Sequence, residues 1–530
     1  MSATRNILIV GGGTAGWITA GYLARALGLH RTPSRSDAPV ITLIESPEIG
    51  IIGVGEGTFP TIKATLQALG IDEADFMRES SATFKQGIRF ANWEKDPATF
   101  GAHHYFHPFE NPHGVNGATL ALYWHLLDPA KRPPFAAALS MQQRTAEARR
   151  GPKRPADGPY KGLLQYAYHL DAHKFARFLA AHGRSLGVRH LTGTVDGVER
   201  DERGHIKQVH SAEHGDLKAD FYFDCTGMRA ELIGRAMGVP FKPVGDVLFT
   251  DRAVACQVPY PQPDAPIESY TVSTAHDAGW TWDIGLESRR GIGYVYSSRH
   301  TSDEAAEATL RAYAGAGATD VSSRVIRFNA GYRETQWVGN CVAIGLSAGF
   351  FEPLESTGLV LIEIAAGMMA EFFTLDGPID AAARRFNFLM KNRCEKIVNF
   401  LKLHYCLNRR SEPFWRDNAD PATIPDELRY MLDMWRYRPP GRFDFLSELE
   451  SFSYFSYQCI LYGLNFHTNL EAARVAFPDM GPAERWFARI EELGERGLRE
   501  LPAHRDLVER IYREGLAKAD GGLLSVKMAR

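Results

Sequence analysis

The chain has 530 residues, with 45% hydrophobic content, 23% charged content and a formal net charge of -3. These values fit a globular protein with a sizeable core and exclude a nucleic-acid surface built on excess positive charge. The one basic run, RRGPKR at 149–154, sits among Gly and Pro as a loop does, and the six scattered cysteines form no Cys-x-x-Cys pair. Reduced thiols in a cytoplasm and no metal centre are therefore expected. The amino terminus MSATRNILIVGGG has neither a cleavage pattern nor a span of about 20 apolar residues, so neither export nor a membrane segment is expected.

In chain order, NILIV (6–10) is a short apolar run, GGGTAG a glycine turn, and WITAGYLARAL carries apolar residues at helical spacing. VITLIES (40–46) then predicts a second buried strand ending in Glu45, after a loop at 33–39, so residues 1–60 read as a βαβ unit. From about 95 to 160 the chain is rich in Pro, His and Gly with little periodicity, which predicts a surface wrap or cleft lining. DAHKFARFLAAHGRSLG predicts an amphipathic helix. It leads into alternating strands, a charged hairpin turn and the strand FYFDCTG (221–227), within a β-rich region of about 190–345. GWTWDIGLE (279–287) predicts a strand with Trp280 and Trp282 on one face and Thr281 and Asp283 on the other. The run 341–373 reads as strand, glycine loop and apolar helix, and beyond 380 the sequence turns helical and aromatic.

Gly11-x-Gly13-x-x-Gly16 between a strand and a helix is a dinucleotide fingerprint: the glycines permit the turn and let a pyrophosphate approach the helix amino end. Glu45 is placed to accept hydrogen bonds from a ribose diol. With the second glycine turn at Asp224–Gly227, FAD is favoured over NAD, and no second fingerprint for NADPH is present.

Four further stretches carry a resemblance: GVGEGTFP (53–60), FKQGIRF (84–90), FFEPLESTGL (350–359) and WTWDIG (280–285). With the fingerprint and HPF (107–109), they resemble the flavin-dependent tryptophan halogenase family, in the family's order over most of the first 410 residues. The resemblance implies an α/β, two-domain flavoprotein monooxygenase-like fold. An FAD-binding core would span 1–380 and a mainly helical substrate-side module 381–530. It implies FADH2 supplied by a separate flavin reductase, a chloride or bromide ion, and a small aromatic substrate, with a homodimer as a further expectation. Hypohalous acid formed at the flavin would be directed by Lys85 and Glu355.

The implied cofactor contacts are Gly11, Gly13, Thr14, Ala15, Gly16, Glu45, Gly55, Glu56, Val195, Asp224 and Gly345. Thr357 and Gly358 would bind the halide at a helix amino end. Ser356 would link the flavin end to Lys85, and Trp280 and Trp282 would wall the tunnel. His107, Phe109, Phe452 and Tyr454 would meet the substrate. Two departures stand out: Gly285 replaces the family's proline, which predicts a freer backbone after Ile284, and RFDFLSELESFSYFSYQCILYG (442–463) lacks the adjacent tyrosines that grip free tryptophan. An indole or another electron-rich aromatic is therefore expected rather than free tryptophan. The alternatives are an FAD-dependent aromatic hydroxylase, which has no use for Lys85, and a non-catalytic FAD-binding protein.

Overall fold

The computed structural model describes residues 5–31, 39–48, 50, 55–112, 114, 115, 118–318, 321–373, 378–477 and 479–517. The loop at 33–38 and Gly53 and Val54 of GVGE lie outside them. A six-stranded sheet runs in the order Arg189–Thr192, Val40–Glu45, Asn6–Val10, Phe221–Asp224, Cys341–Ala343, Trp337–Val338; all its pairings are parallel except the last. Its central strands, Asn6–Val10, Phe221–Asp224 and Cys341–Ala343, are buried apolar runs without alternation, whereas the edge strand Arg189–Thr192 is polar and partly exposed. The register puts Val10 beside both Ile44 and Asp224, so Gly11, Glu45 and the 224–227 turn emerge together at the sheet's carboxyl edge.

The second large sheet has seven strands in the order Ser323–Arg327, Arg252–Pro259, Arg289–Tyr296, Gly279–Gly285, Thr271–His276, Gly87–Ala91, His104–Pro108. Every residue of Gly279–Gly285 is buried. A three-stranded sheet of Glu56–Gly57, Ala167–Leu170 and Thr83–Lys85 bridges the two.

The irregular stretch after residue 95 contains four helices of four to seven residues, Pro97–Phe100, Leu120–Leu126, Phe135–Leu139 and Gln142–Glu147. Two turns or fewer cannot display a helical period, which is why the sequence shows none. Beyond 380 the helices are Asp380–Cys406, Pro413–Ala419, Asp426–Trp435, Tyr454–Gly463, Gly481–Glu500 and His504–Glu514. One apolar cluster joins Ile88, Trp280 and Trp282 to Phe400, Tyr457 and Ile490 of these helices. The last helix returns to the nucleotide end, where Leu507, Val508 and Ile511 pack with Phe84 and the Phe84 N–H donates to His504 Nε2 at 3.0 Å.

Candidate active site

The carboxyl edge of the six-stranded sheet opens on a cavity of about 890 Å³. Gly11, at φ +114°, makes the turn into helix Thr14–Ala26; a side chain there would strike the Cys225 carbonyl, so the close strand approach depends on glycine. Gly13, Thr14 and Ala15 line the cavity at the helix amino end, while Gly16 is packed against the Gly11 carbonyl beneath it. Glu45, Gly55, Glu56, Val195 and Gly345 complete much of the wall. Burial pushes the Glu56 carboxyl up to about 7. A cavity of this volume on a glycine turn, with a carboxylate at the end of the second strand, fits a dinucleotide.

Asp224 is not in that wall. Its two oxygens accept from Thr226 N and Oγ1 and from the amides of Leu232 and Ile233, so it shapes the turn that presents Cys225 to Gly227 to the cavity. Trp280 and Trp282 do line it, with ring centroids 6.5 Å apart, and Asp283, facing the other way, pairs with Arg290. The backbone beyond them is held rather than freed. Gly285 stays in the ladder opposite Arg290, and its carbonyl accepts from Thr83 Oγ1 at 2.5 Å.

Ser356 forms the far wall. Its backbone and that of Glu355 are both left-handed, at φ 57° and 59°, costing roughly 1–3 kcal/mol each, and the Ser356 amide donates to the Pro353 carbonyl at 2.9 Å. Helix Thr357–Phe372 starts immediately after; Gly358 lines the cavity, whereas the Thr357 side chain is buried outside it. Ser356 Oγ faces the cavity and accepts from Lys85 Nζ at 3.0 Å. Lys85 ends strand Thr83–Lys85, is 1% exposed, and also donates to the Thr58 carbonyl at 3.3 Å. The absent side chain of Gly57 leaves room there, since a Cβ would stand 2.7 Å from Ser356 Oγ.

The Phe109 ring, which is not part of the cavity lining, has its centroid 5.5 Å from Lys85 Nζ. Burial lowers the Lys85 ammonium to about 8, partly offset by the negative charge of Glu355. Burial alone would raise Glu355, yet the charge of His107 and hydrogen bonds from His107 and His404 hold it well below the usual carboxylate range. The Glu355 Oε1 distances are 2.8 Å to His107 Nδ1 and 3.2 Å to His404 Nε2. A buried ammonium and a buried carboxylate thus lie within range of each other's charge, one able to hold an electronegative atom and the other to take a proton.

His107 is a clamp on Glu355 as well as a neighbour of the aromatic region. Phe452 is buried, stacked on Phe400 at 3.8 Å and tilted against Phe59 at 5.3 Å. Tyr454 opens helix Tyr454–Gly463, half-buried against the large core. His404 escaped notice in the sequence, being one histidine in the apolar run LKLHYC, and Thr58 acts through a carbonyl that residue type does not reveal.

The family model described as tryptophan halogenase matches residues 6–477. The chain belongs to this family. It is 36% identical over 512 residues to the tryptophan 6-halogenase SttH of Streptomyces toxytricini, covering 92% of this chain and 95% of that one. It is 35% identical over 498 residues to the tryptophan 7-halogenase RebH of Lentzea aerocolonigenes, covering 89% and 91%. The crystal structure of a tryptophan halogenase from Shewanella frigidimarina superposes with a TM-score of 0.91 at 40% identity, covering 98% and 99%. The protein is thus a flavin-dependent halogenase acting on aromatics, using FADH2 from a separate reductase and a halide ion. The glycine turn and Glu45 would hold FAD, which would supply the oxidising chemistry with oxygen when bound. No helix among the described residues is long and apolar enough to cross a membrane.

Proposed function

We propose that this halogenase transfers chloride or bromide to an indole, or a similar electron-rich aromatic without the free amino-acid handle. Hypohalous acid passes from the cavity by Ser356 to Lys85, which holds it by hydrogen bonding, and Glu355 takes the ring proton as the halogen adds. The halide waits at the amino end of helix Thr357–Phe372, near Thr357 and Gly358. The observation that carries this reading is the 3.0 Å contact between Lys85 Nζ and the wall residue Ser356, beside a Glu355 clamped by two histidines.

The choice of substrate is supported by the 442–463 segment. Its tyrosines 457 and 462 are buried in aromatic packing, Tyr457 against Phe400 and Phe445 and Tyr462 against Phe135 and His125. They are therefore committed to the core rather than to a carboxylate or ammonium group. Residence in a reducing cytoplasm is supported by six free, buried cysteines.

The test supplies FAD, a flavin reductase, NADH and halide, with indole and free tryptophan in competition, and reads products by mass spectrometry. Halogenated indole in excess is expected. Preference for tryptophan overturns the substrate assignment, hydroxylated product favours a hydroxylase, and a Lys85→Ala variant that binds FAD and still halogenates at near the wild-type rate overturns the mechanism.

A further inference from the structure

The loop 350–356 carries a second glutamate that the chemistry above does not use. Glu352 is fully buried and belongs to the wall of the cofactor cavity. Its Oε2 accepts from Thr250 Oγ1 and from Tyr405 OH, both at 2.7 Å, and Trp280 Nε1 donates to the same Tyr405 oxygen at 2.8 Å. Glu352 Oε1 has no hydrogen-bond partner among the described residues. Consecutive residues of helix Asp380–Cys406 therefore hold the two glutamates, His404 gripping Glu355 and Tyr405 gripping Glu352.

The two environments differ in charge. Glu355 faces two imidazoles, whereas Glu352 meets only the neutral donors Tyr405, Thr250 and Trp280 and, at longer range, Lys402. The Lys402 ammonium is committed elsewhere, to the Val247 carbonyl at 3.0 Å and Asn418 Oδ1 at 3.1 Å. A carboxylate without a cationic partner or a full set of donors is costly to bury, so the neutral acid is the form this pocket fits. Burial accordingly pushes Glu352 up to about 7, against the lowering effect of its hydrogen bonds. Paired carboxyls whose surroundings drive their protonation apart take different roles.

We infer that Glu352 is a positioning residue that fixes Trp280 in the cavity wall through Tyr405 and, while neutral, keeps that wall free of negative charge so that the halide can enter. Its ionisation places a like charge in the same low-dielectric cavity and weakens halide capture. The inference rests on the halide entering this cavity, where Gly358 also lies.

The experiment titrates FAD-loaded protein with bromide and follows the flavin absorbance from pH 5.5 to 7.5, below most of the Lys85 titration. In a Glu56→Gln background, which silences the other cavity carboxyl that burial pushes up to about 7, affinity is expected to fall about fourfold over that range as Glu352 ionises. Adding Glu352→Gln, which is neutral throughout and keeps an acceptor for Tyr405 and Thr250, to that background is expected to hold the change below twofold. Thr250→Val, which removes one donor to the carboxylate, moves the midpoint in that background to higher pH. A flat profile in the Glu56→Gln background, a profile that Glu352→Gln leaves as it was, or a Thr250→Val midpoint that moves down overturns the role of Glu352. Failure of bromide to perturb the flavin at every pH overturns the halide position itself.

Discussion

Replacing Gly293 with alanine is expected to drive Trp282 into the cofactor cavity. Gly293 lies opposite Trp282 in the pairing of strands Gly279–Gly285 and Arg289–Tyr296. A Cβ at 293 would stand 2.1 Å from Cη2 and 2.2 Å from Cζ2 of the Trp282 ring, where ordinary contact begins at 3.4 Å. The ring must therefore retreat by more than an ångström. Trp280 is tethered by its indole N–H to Tyr405, but Trp282 Nε1 has no hydrogen-bond partner among the described residues, and its open side is the cavity. Overpacking of this kind costs about 1–3 kcal/mol. If the ring yields into the cavity, that cost is felt when FAD binds, as roughly a 5- to 150-fold weaker Kd. FAD fluorescence titration reads the affinity, and thermal unfolding of the FAD-free protein reads the stability. Weaker FAD binding with little change in Tm is expected, and adding Trp282→Phe to Gly293→Ala restores affinity by shrinking the displaced ring. Unchanged FAD affinity in Gly293→Ala, or no restoration by Trp282→Phe, refutes the reasoning and returns Trp282 to plain core packing.

At saturating halide, the transfer of halogen to the aromatic is expected to slow as pH rises through about 8, because Lys85 then loses the proton with which it holds hypohalous acid; single-turnover quench measurements check this, and a rise through the same pH replaces hydrogen bonding with a haloamine. His404→Leu removes one hydrogen bond from the Glu355 carboxylate. A charged hydrogen bond is worth about 1.5–3 kcal/mol, so the acid limb of the halogenation pH profile is expected to move up by about 1–2 units. Glu363, buried and bonded to Thr65 Oγ1, is pushed up to about 7 by burial. Its contribution to stability is complete below its ordinary value of 4.5 and is lost as pH rises to about 7. Glu363→Gln is therefore expected to gain about 2–3 kcal/mol at pH 8 and much less at pH 5, as chemical denaturation will show.

The nucleotide end was legible because a tight turn between strand and helix leaves few residue choices, so Gly11 to Gly16 and Glu45 announce a geometry that the sheet register then realises. Lys85 and Glu355 were legible only through family resemblance. They lie 270 positions apart, and no local period links a three-residue strand to a left-handed turn. Asp224 was misread as a cavity residue because a strand-end acid beside glycines looks the same whether it faces a ligand or its own turn amides. His404 and Tyr405 were invisible because a long helix displays only its apolar periodicity, and Glu352 was hidden inside a motif whose other glutamate drew the attention. The change in composition near 380 was legible, but composition does not report that residues on either side of it share one apolar cluster.

The Ser356 contact has a consequence for how such an enzyme can diversify. On the proposed reading Ser356 stands between the cofactor cavity and Lys85, so the side that would generate the oxidant and the side that would receive the aromatic could change on separate schedules. Under that reading, substitutions at Phe109, Phe452 or Tyr454 would remodel the acceptor side and leave the glycine turn, Glu45 and the tryptophan wall as they are. A lineage, or an engineered library, can therefore explore new aromatics while inheriting an intact supply of electrophile, provided the serine and lysine between the rooms stay in register.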